Sequence, residues 1–301
     1  MHASNALRNI LVATDLSSPA RHAVRRAAQV ASASRASLTV IHVAGGSVLG
    51  ELQRWLGQDS ATETALLETA QHTLQTLSES LGGHMVQPVH QEVARGPVVD
   101  RIIDAANRVA AGLIVIGAHG TGYLRRLALG STAERLLRRS RRPVLVVRQT
   151  PHEPYQRVLV PVDFSSSTNA AIELARQVAP NTPLVLLHVW SVPYEGKLRF
   201  AGVSQLTIDH YRRSAREEAL QKMHQLAARH QLAVDEWTPC VMEGDVTLQI
   251  SEQEQEHDCD LVVIGKHGHH FVEELLLGSV TQRVLADAQG DVLVTPSSLD
   301  E

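Results

Sequence analysis

A fixed offset of 148 residues runs through the chain and constrains its fold more than any other feature. Asp15 and Asp163 are that far apart, as are Gly96 and Gly244, Gly117 and Gly265, Gly120 and Gly268, Gly130 and Gly278, and Ser131 and Ser279. Ile-Leu-Val-Ala-Thr-Asp at 10–15 answers Val-Leu-Val-Pro-Val-Asp at 158–163, and Leu-Ile-Val-Ile-Gly at 113–117 answers Leu-Val-Val-Ile-Gly at 261–265. His42 and His188 are 146 apart, so a small length change falls between the anchors and is later recovered. A period this long excludes a solenoid, whose repeats run to about 20–50 residues, and implies duplication of a whole domain. The 301 residues divide into domains 1–150 and 151–301, each large enough to bury a core. Residues 149–155, with two prolines, read as the linker.

Within each copy, short apolar runs alternate with longer amphipathic segments. In the first copy, 9–13, 38–43, 87–94, 113–117 and 144–147 predict strands, while 18–34, 61–81, 98–110 and 131–140 predict helices. Ser18 before Pro19 reads as a helix cap with proline at the first helical position. In the second copy, strands are predicted near 157–162, 184–189, 234–241, 261–265 and 291–295. Continuous apolar strands suit a parallel sheet covered on both faces. The expected fold class is α/β: two homologous open five-stranded parallel sheets flanked by helices, Rossmann-like and doubly wound. Residues 45–60 read as a loop insertion with a short helix at 51–56.

Composition narrows the setting. With Phe 3, Trp 3 and Tyr 4, the core must come from Val, Ile, Leu and Ala. Two cysteines, Cys240 and Cys259, exclude a disulfide framework and a four-cysteine zinc site, and imply a reducing compartment. No apolar run approaches the ~18 residues of a membrane span, and residues 1–9 lack the apolar stretch of a secretory signal. A soluble, cytoplasmic protein with no membrane partner is expected. The net charge of −4 hides a split: 17 Arg, no Lys and 10 acidic residues give +7 before residue 151, and 8 Arg, 3 Lys and 22 acidic residues give −11 after it. Such asymmetry marks either a basic face for an anionic partner or two halves that face each other.

The glycine loop carries the chemistry. The first copy reads Gly117-Ala-His-Gly120, nine residues, then Gly130-Ser131; the second reads Gly265-Lys-His-Gly268, nine residues, then Gly278-Ser279. A glycine ending a strand lets backbone approach a ligand closely. A helix opening at Gly-Ser presents free N–H groups and a dipole that favour an anion. In an open α/β sheet the ligand belongs at the carboxyl ends of the strands, where strand order reverses. Asp15, ending the first strand, meets the glycine loop there if the first and fourth strands are neighbours. A P-loop is excluded because it needs Gly-Lys-Ser/Thr after the first strand, and the first copy has no lysine. Gly117, Gly120 and Gly122 have the reverse of the Rossmann spacing and come late in the unit.

On these residues the sequence resembles the universal stress protein family in its tandem form. The Gly-x2-Gly-x9-Gly-Ser/Thr signature stands intact twice, with an Asp ending strand one, and the likeness covers nearly the whole chain. The resemblance implies a five-stranded parallel sheet and binding of ATP or a related adenine nucleotide, with Mg²⁺ accompanying the nucleotide. It implies adenosine-side contacts at Ala13, Thr14 and Asp15 and at Pro161, Val162 and Asp163, and adenine pockets at Val43 and Val189. It also implies phosphate cradles at Gly117, Gly120, Gly130, Ser131 and Thr132, and at Gly265, Gly268, Gly278, Ser279 and Val280. His119 and His267 sit inside the loops, where an imidazole lines phosphate or faces solvent. Function is expected to be regulatory, with no catalytic residue. The alternatives are a weak ATP-hydrolysing or phosphotransferring enzyme, and a structural interaction protein with vestigial loops. The two halves are expected to pack on each other, a homodimer is a further expected partner state, and nucleic acid is not an expected partner.

Plainer readings stand beside these. Ser131-x-x-Glu134 and Ser279-x-x-Gln282 both fit capping boxes. Asp15 also suits a cap for the turn into Ser17-Ser18. His269-His270 invites a metal reading, but no metal site is expected. Seven arginines between Arg125 and Arg142 make either a solvated helix face or an anion patch. Finally, Arg125-Arg126 correspond to Glu273-Glu274, a charge reversal beside the two phosphate loops, which Lys266 would partly offset if it reached the phosphates.

Overall fold

The computed structural model describes residues 7–44, 60–81, 87–119, 129–192, 200–266 and 276–296. The first half runs β1 (Asn9–Thr14), α1 (Ser18–Ser34), β2 (Ser37–Ala44), α2 (Ser60–Glu79), β3 (Val89–Arg95), α3 (Val98–Arg108), β4 (Leu113–Gly117), α4 (Ser131–Arg139) and β5 (Val144–Val147). The second runs β6 (Val158–Pro161), α5 (Ser166–Val178), β7 (Leu184–Trp190), α6 (Gln205–Arg229), β8 (Trp237–Glu243), α7 (Val246–Glu256), β9 (Leu261–Gly265), α8 (Ser279–Asp287) and β10 (Asp291–Thr295). The insertion predicted at 45–60 falls almost wholly outside the described residues.

Each half is a parallel sheet in the order 3-2-1-4-5, and the two halves form one ten-stranded sheet, β3-β2-β1-β4-β5-β10-β9-β6-β7-β8. The join is the antiparallel pair β5–β10, with Leu145 opposite Leu293. Its cause is visible in β5, Val-Leu-Val-Val, which is buried throughout. An all-apolar edge strand invites another strand, and each half supplies one to the other. The outer edges, β3 and β8, are half-exposed; β3 is largely polar, and β8 carries Pro239, the residue that edge strands tolerate.

Helices cover both faces. One core layer joins α1, α2, α5 and α6 to the sheet through Val24, Leu74, Ile172 and Met223; the other joins α3, α4, α7 and α8 through Ile102, Leu136, Ile250 and Leu285. The duplication extends to backbone strain. Left-handed residues recur in pairs: Leu16 and Phe164 (φ 65° and 62°), Arg35 and Asn181, Gly96 and Gly244, Ala110 and Asp258.

The linker is stitched down rather than loose. Asp291, fully buried, accepts from Arg148 N (2.8 Å) and Gln149 N (3.1 Å) on Oδ1, and from Arg26 Nε (3.0 Å) and the Tyr155 hydroxyl (2.8 Å) on Oδ2. Arg26 also donates to Glu153 O (2.9 Å) and lies 4.1 Å over the Tyr155 ring. Burial and the Asp291 charge hold the Tyr155 phenol well above its ordinary value, so it stays a donor.

Candidate functional site

Strand order places the candidate residues. β1 lies between β2 and β4, with Val12 opposite Val115, and β6 lies between β7 and β9. The carboxyl ends of β1 and β4, and of β6 and β9, are therefore adjacent at the point where strand order reverses. The sequence made the meeting of Asp15 with the glycine loop conditional on this neighbourhood. Ala13 and Thr14 end β1, Asp15 follows, Val43 lies near the end of β2, and Gly117 ends β4. Gly120, His267 and Gly268 lie outside the described residues, as do His269-His270, Arg125-Arg126 and Glu273-Glu274.

In the second half these residues line one cleft of 320 Å³. Its walls include Pro161, Val162, Asp163, Val189, Gly265, Gly278, Ser279 and Val280, which are all the described second-half candidates. Ile250, Ile264 and Leu187 add apolar surface, and His188, Ser167, Thr168 and Thr281 add polar groups. The volume lies at the small end of the range for ligand pockets, about 300–1,000 Å³, and the mix of apolar wall with few convergent polar groups is typical of them. The lining combines apolar surface, as a base requires, with a carboxylate and the start of α8, where phosphate oxygens would find N–H donors.

The turn after β6 fixes that carboxylate. Asp163 Oδ1 accepts from Ser165 N (3.0 Å), Ser165 Oγ (2.5 Å) and Thr168 Oγ1 (2.9 Å), and Thr168 Oγ1 also accepts from Asp163 N (3.2 Å). In the first half Asp15 Oδ1 accepts from Ser17 N (3.0 Å), so the turn-capping role read from the sequence is present. Phe164 and Leu16 follow these aspartates in left-handed conformation. A bulky residue there costs about 1–3 kcal/mol, and such strain gathers at functional sites.

His188 and His42 perform a task the sequence did not reveal. His188 Nδ1 donates to Val162 O and His42 Nδ1 to Thr14 O, both at 2.9 Å. A carbonyl only accepts, so Nδ1 carries the proton and each ring braces the carbonyl just before the aspartate. The shared position at the end of strand two was the available signal.

The loop glycines serve close approaches within the chain. Gly130 N donates to Ala118 O (2.8 Å) and Gly278 N to Lys266 O (3.0 Å), closing each loop. A Cβ on Gly130 would meet Ala118 O at 3.2 Å, a tight approach, whereas one on Gly117 would meet only ordinary contacts, His119 O at 3.4 Å and Pro19 O at 3.6 Å. The caps differ from expectation. Gly130 and Gly278 are the N-cap residues of α4 and α8, and no side chain caps either helix. Neither predicted capping box forms: Glu134 pairs with Arg138 (2.9 Å) and Gln282 Nε2 donates to Leu277 O (2.6 Å). Ser131 and Ser279 are instead the first helical residues, both exposed. At α1, Ser17 is the cap rather than Ser18.

Lys266 corrects another expectation. Its ammonium donates to Arg138 O (2.7 Å) across the junction and is buried, so its charge is spent on α4 of the first half. Of the described arginines of the basic run, Arg135 donates to Ser131 O (3.1 Å), Arg138 pairs with Glu134 and Arg139 with Asp100 (2.6 Å) on α4, and Arg142, beyond the helix, donates to Ala111 O and Asn107.

A doubly wound α/β unit is present here in two copies, and the second carries a pocket at the point where its strand order reverses. The universal stress protein family model matches residues 6–148 and again 154–296. A universal stress protein of Mycolicibacterium smegmatis is 31% identical over 305 residues, spanning 95% of this chain and 96% of its own. Universal stress protein Rv2623 of Mycobacterium tuberculosis is 28% identical over 313 residues, spanning 99% and 100%. A solved universal stress protein from Archaeoglobus fulgidus shares the fold, with a TM-score of 0.65 at 22% identity over 96% of this chain and 98% of its own. The chain belongs to the universal stress protein family.

Proposed function

We propose that this protein is a regulatory universal stress protein that binds ATP or a related adenine nucleotide at the carboxyl ends of β1/β4 and β6/β9. The observation that carries this reading is the 320 Å³ cleft, whose wall contains every described second-half candidate residue. Val162 and Val189 supply the surface for the base. Asp163 serves the sugar side, and the first turn of α8 with Gly278-Ser279 receives phosphate oxygens, with Mg²⁺ supplying charge neutralisation when it accompanies them. In the first half Ala13, Thr14, Asp15, Val43, Gly117, Gly130, Ser131 and Thr132 take the same roles, and His119 flanks the phosphates. Occupancy regulates by changing conformation or partners rather than by turnover, and the setting is the cytoplasm. Among the described residues, no helix is long and apolar enough to cross a membrane. The halves already pair edge to edge, so a homodimer would use another surface.

Gentle purification followed by denaturation and chromatographic identification of released small molecules tests the proposal. An adenine nucleotide in the released fraction, or ATP binding by the stripped protein, is expected. A preparation that releases none and binds none after stripping would refute it.

A further inference from the structure

Each loop-opened helix is held at its far end by a cation from the other half. Lys266, inside the second glycine loop, donates to Arg138 O (2.7 Å) and reaches Ser140 O (3.5 Å) at the carboxyl end of α4. Arg148, following β5, donates to Leu285 O (2.7 Å) and Ala286 O (3.4 Å) at the carboxyl end of α8. The opposite ends of these helices are Gly130-Ser131 and Gly278-Ser279, the phosphate-binding positions of the proposed clefts.

Both cations are tied to the loop of their own half. Lys266 O accepts from Gly278 N (3.0 Å), so a shift of the second loop moves Lys266 directly. Val147 O accepts from Ala118 N (2.8 Å), so the first loop is one residue away from Arg148, whose own N–H is fixed by Asp291. A nine-residue helix is about 13.5 Å long and moves as a rigid rod. Its carboxyl end favours a cation and its amino end an anion, so both charges act on one dipole.

We infer that the two clefts are energetically coupled through this reciprocal arrangement, by two routes that each act in both directions: one through Lys266 and α4, the other through Arg148 and α8. The inference rests on the nucleotide reading above and adds regulation to it. Coupling of binding free energies is reciprocal by necessity, so either cleft can be the reporter.

The test is a calorimetric titration of the full chain with ATP. The two stepwise association constants of the wild type are multiplied, then divided by the product of the single-cleft constants from Gly130→Val and Gly278→Val. This coupling factor is expected to differ from one by about fivefold, within the usual allosteric range. Adding Lys266→Met or Arg148→Met to all three proteins should bring it closer to one and adding both should return it to one, while Lys266→Arg, which keeps the cation, should retain it. Because the factor is a ratio within one background, changes in intrinsic affinity cancel. A factor of one in the wild type, or one unmoved by removing either cation, overturns the inference while leaving nucleotide binding intact. Absence of ATP binding in every form overturns the nucleotide reading and the inference together. Hydrogen exchange gives a readout without the cation variants: ATP added to Gly130→Val, whose second cleft alone is intact, should slow the α4 amides. Unchanged α4 exchange at saturation overturns the inference.

Discussion

Replacing Asp291 by Asn should destabilise the whole molecule, because one buried carboxylate holds the two halves and the linker together. The substitution keeps shape and lets an amide oxygen serve Arg148 N and Gln149 N. It turns an NH₂ group toward Arg26 Nε–H and the Tyr155 hydroxyl, where Oδ2 now accepts at 3.0 and 2.8 Å. The Arg26 and Asp291 side chains are 4% and 0% exposed, so solvent screening does not soften the loss. Removing one partner of such a pair costs about 3–5 kcal/mol, mostly from the charge left buried. Arg26 keeps Gln29 Oε1 and Glu153 O, both at 2.9 Å, which places the expected cost nearer the lower figure. At about 2–4 °C per kcal/mol, the melting temperature should fall by roughly 6–12 °C. Calorimetry of wild type, Asp291→Asn, Arg26→Met and the double variant checks it. The double variant should be more stable than the sum of the singles predicts, since it leaves no orphaned charge. A shift below about 2 °C, or strict additivity, would refute the claim that this pair locks the junction.

Three further outcomes follow from the same structure. Limited proteolysis should spare residues 149–156 in the wild type and cut there in Asp291→Asn; early linker cleavage of the wild type would contradict the stitched junction. Burial, with Arg229 and Arg176 nearby, holds the His230 pKa below its ordinary 6.5; the unfolded chain then binds the proton more readily, so stability should decline as pH falls below about 6.5. His230→Gln, which keeps a partner for Asn169, should flatten that decline in thermal melts between about pH 7 and pH 5, and an unaltered slope would remove His230 from the account. The first cleft should bind ATP more tightly than the second, about tenfold at low salt with a gap that narrows as salt rises, because Arg125-Arg126 face Glu273-Glu274 in the alignment and Lys266 is spent elsewhere; equal affinities at low salt would show that those charges do not face the nucleotide.

Much of this was legible in the residues. The repeat and the apolar runs locate the strands, and 113–117, 144–147, 261–265 and 291–295 agree with β4, β5, β9 and β10 to the residue. Strand β8 begins three residues later than read, since Val234 is apolar yet 94% exposed. Merger of the sheets was not read, because pairing between two edge strands leaves no local periodicity. The signal was the unguarded edge of β5. Capping boxes misled because Ser-x-x-Glu describes what a helix start can do, whereas close loop closure at Gly130 and Gly278 moved the cap one residue earlier. Lys266 misled for a related reason: its position in the loop is local, while its partner carbonyl is 128 residues away. Of the eight second-half residues that line the cleft, Asp163, Gly265, Gly278 and Ser279 were marked by the repeated spacing, whereas Pro161, Val162, Val189 and Val280 carry no such signal and came from the family resemblance.

The central claim is that the Gly-Ser helix starts receive an adenine nucleotide, and titration of ATP into the wild type, Gly130→Val, Gly278→Val and the double variant tests it most directly. A valine at Gly130 places its Cβ 3.2 Å from Ala118 O, so loop and helix start must part by a few tenths of an ångström, and its branched side chain adds bulk where backbone would approach the phosphates. The account predicts two ATP per wild-type chain, one in each single variant and none in the double variant, with all four proteins folded by circular dichroism. ATP binding by the folded double variant with wild-type affinity and stoichiometry would contradict it.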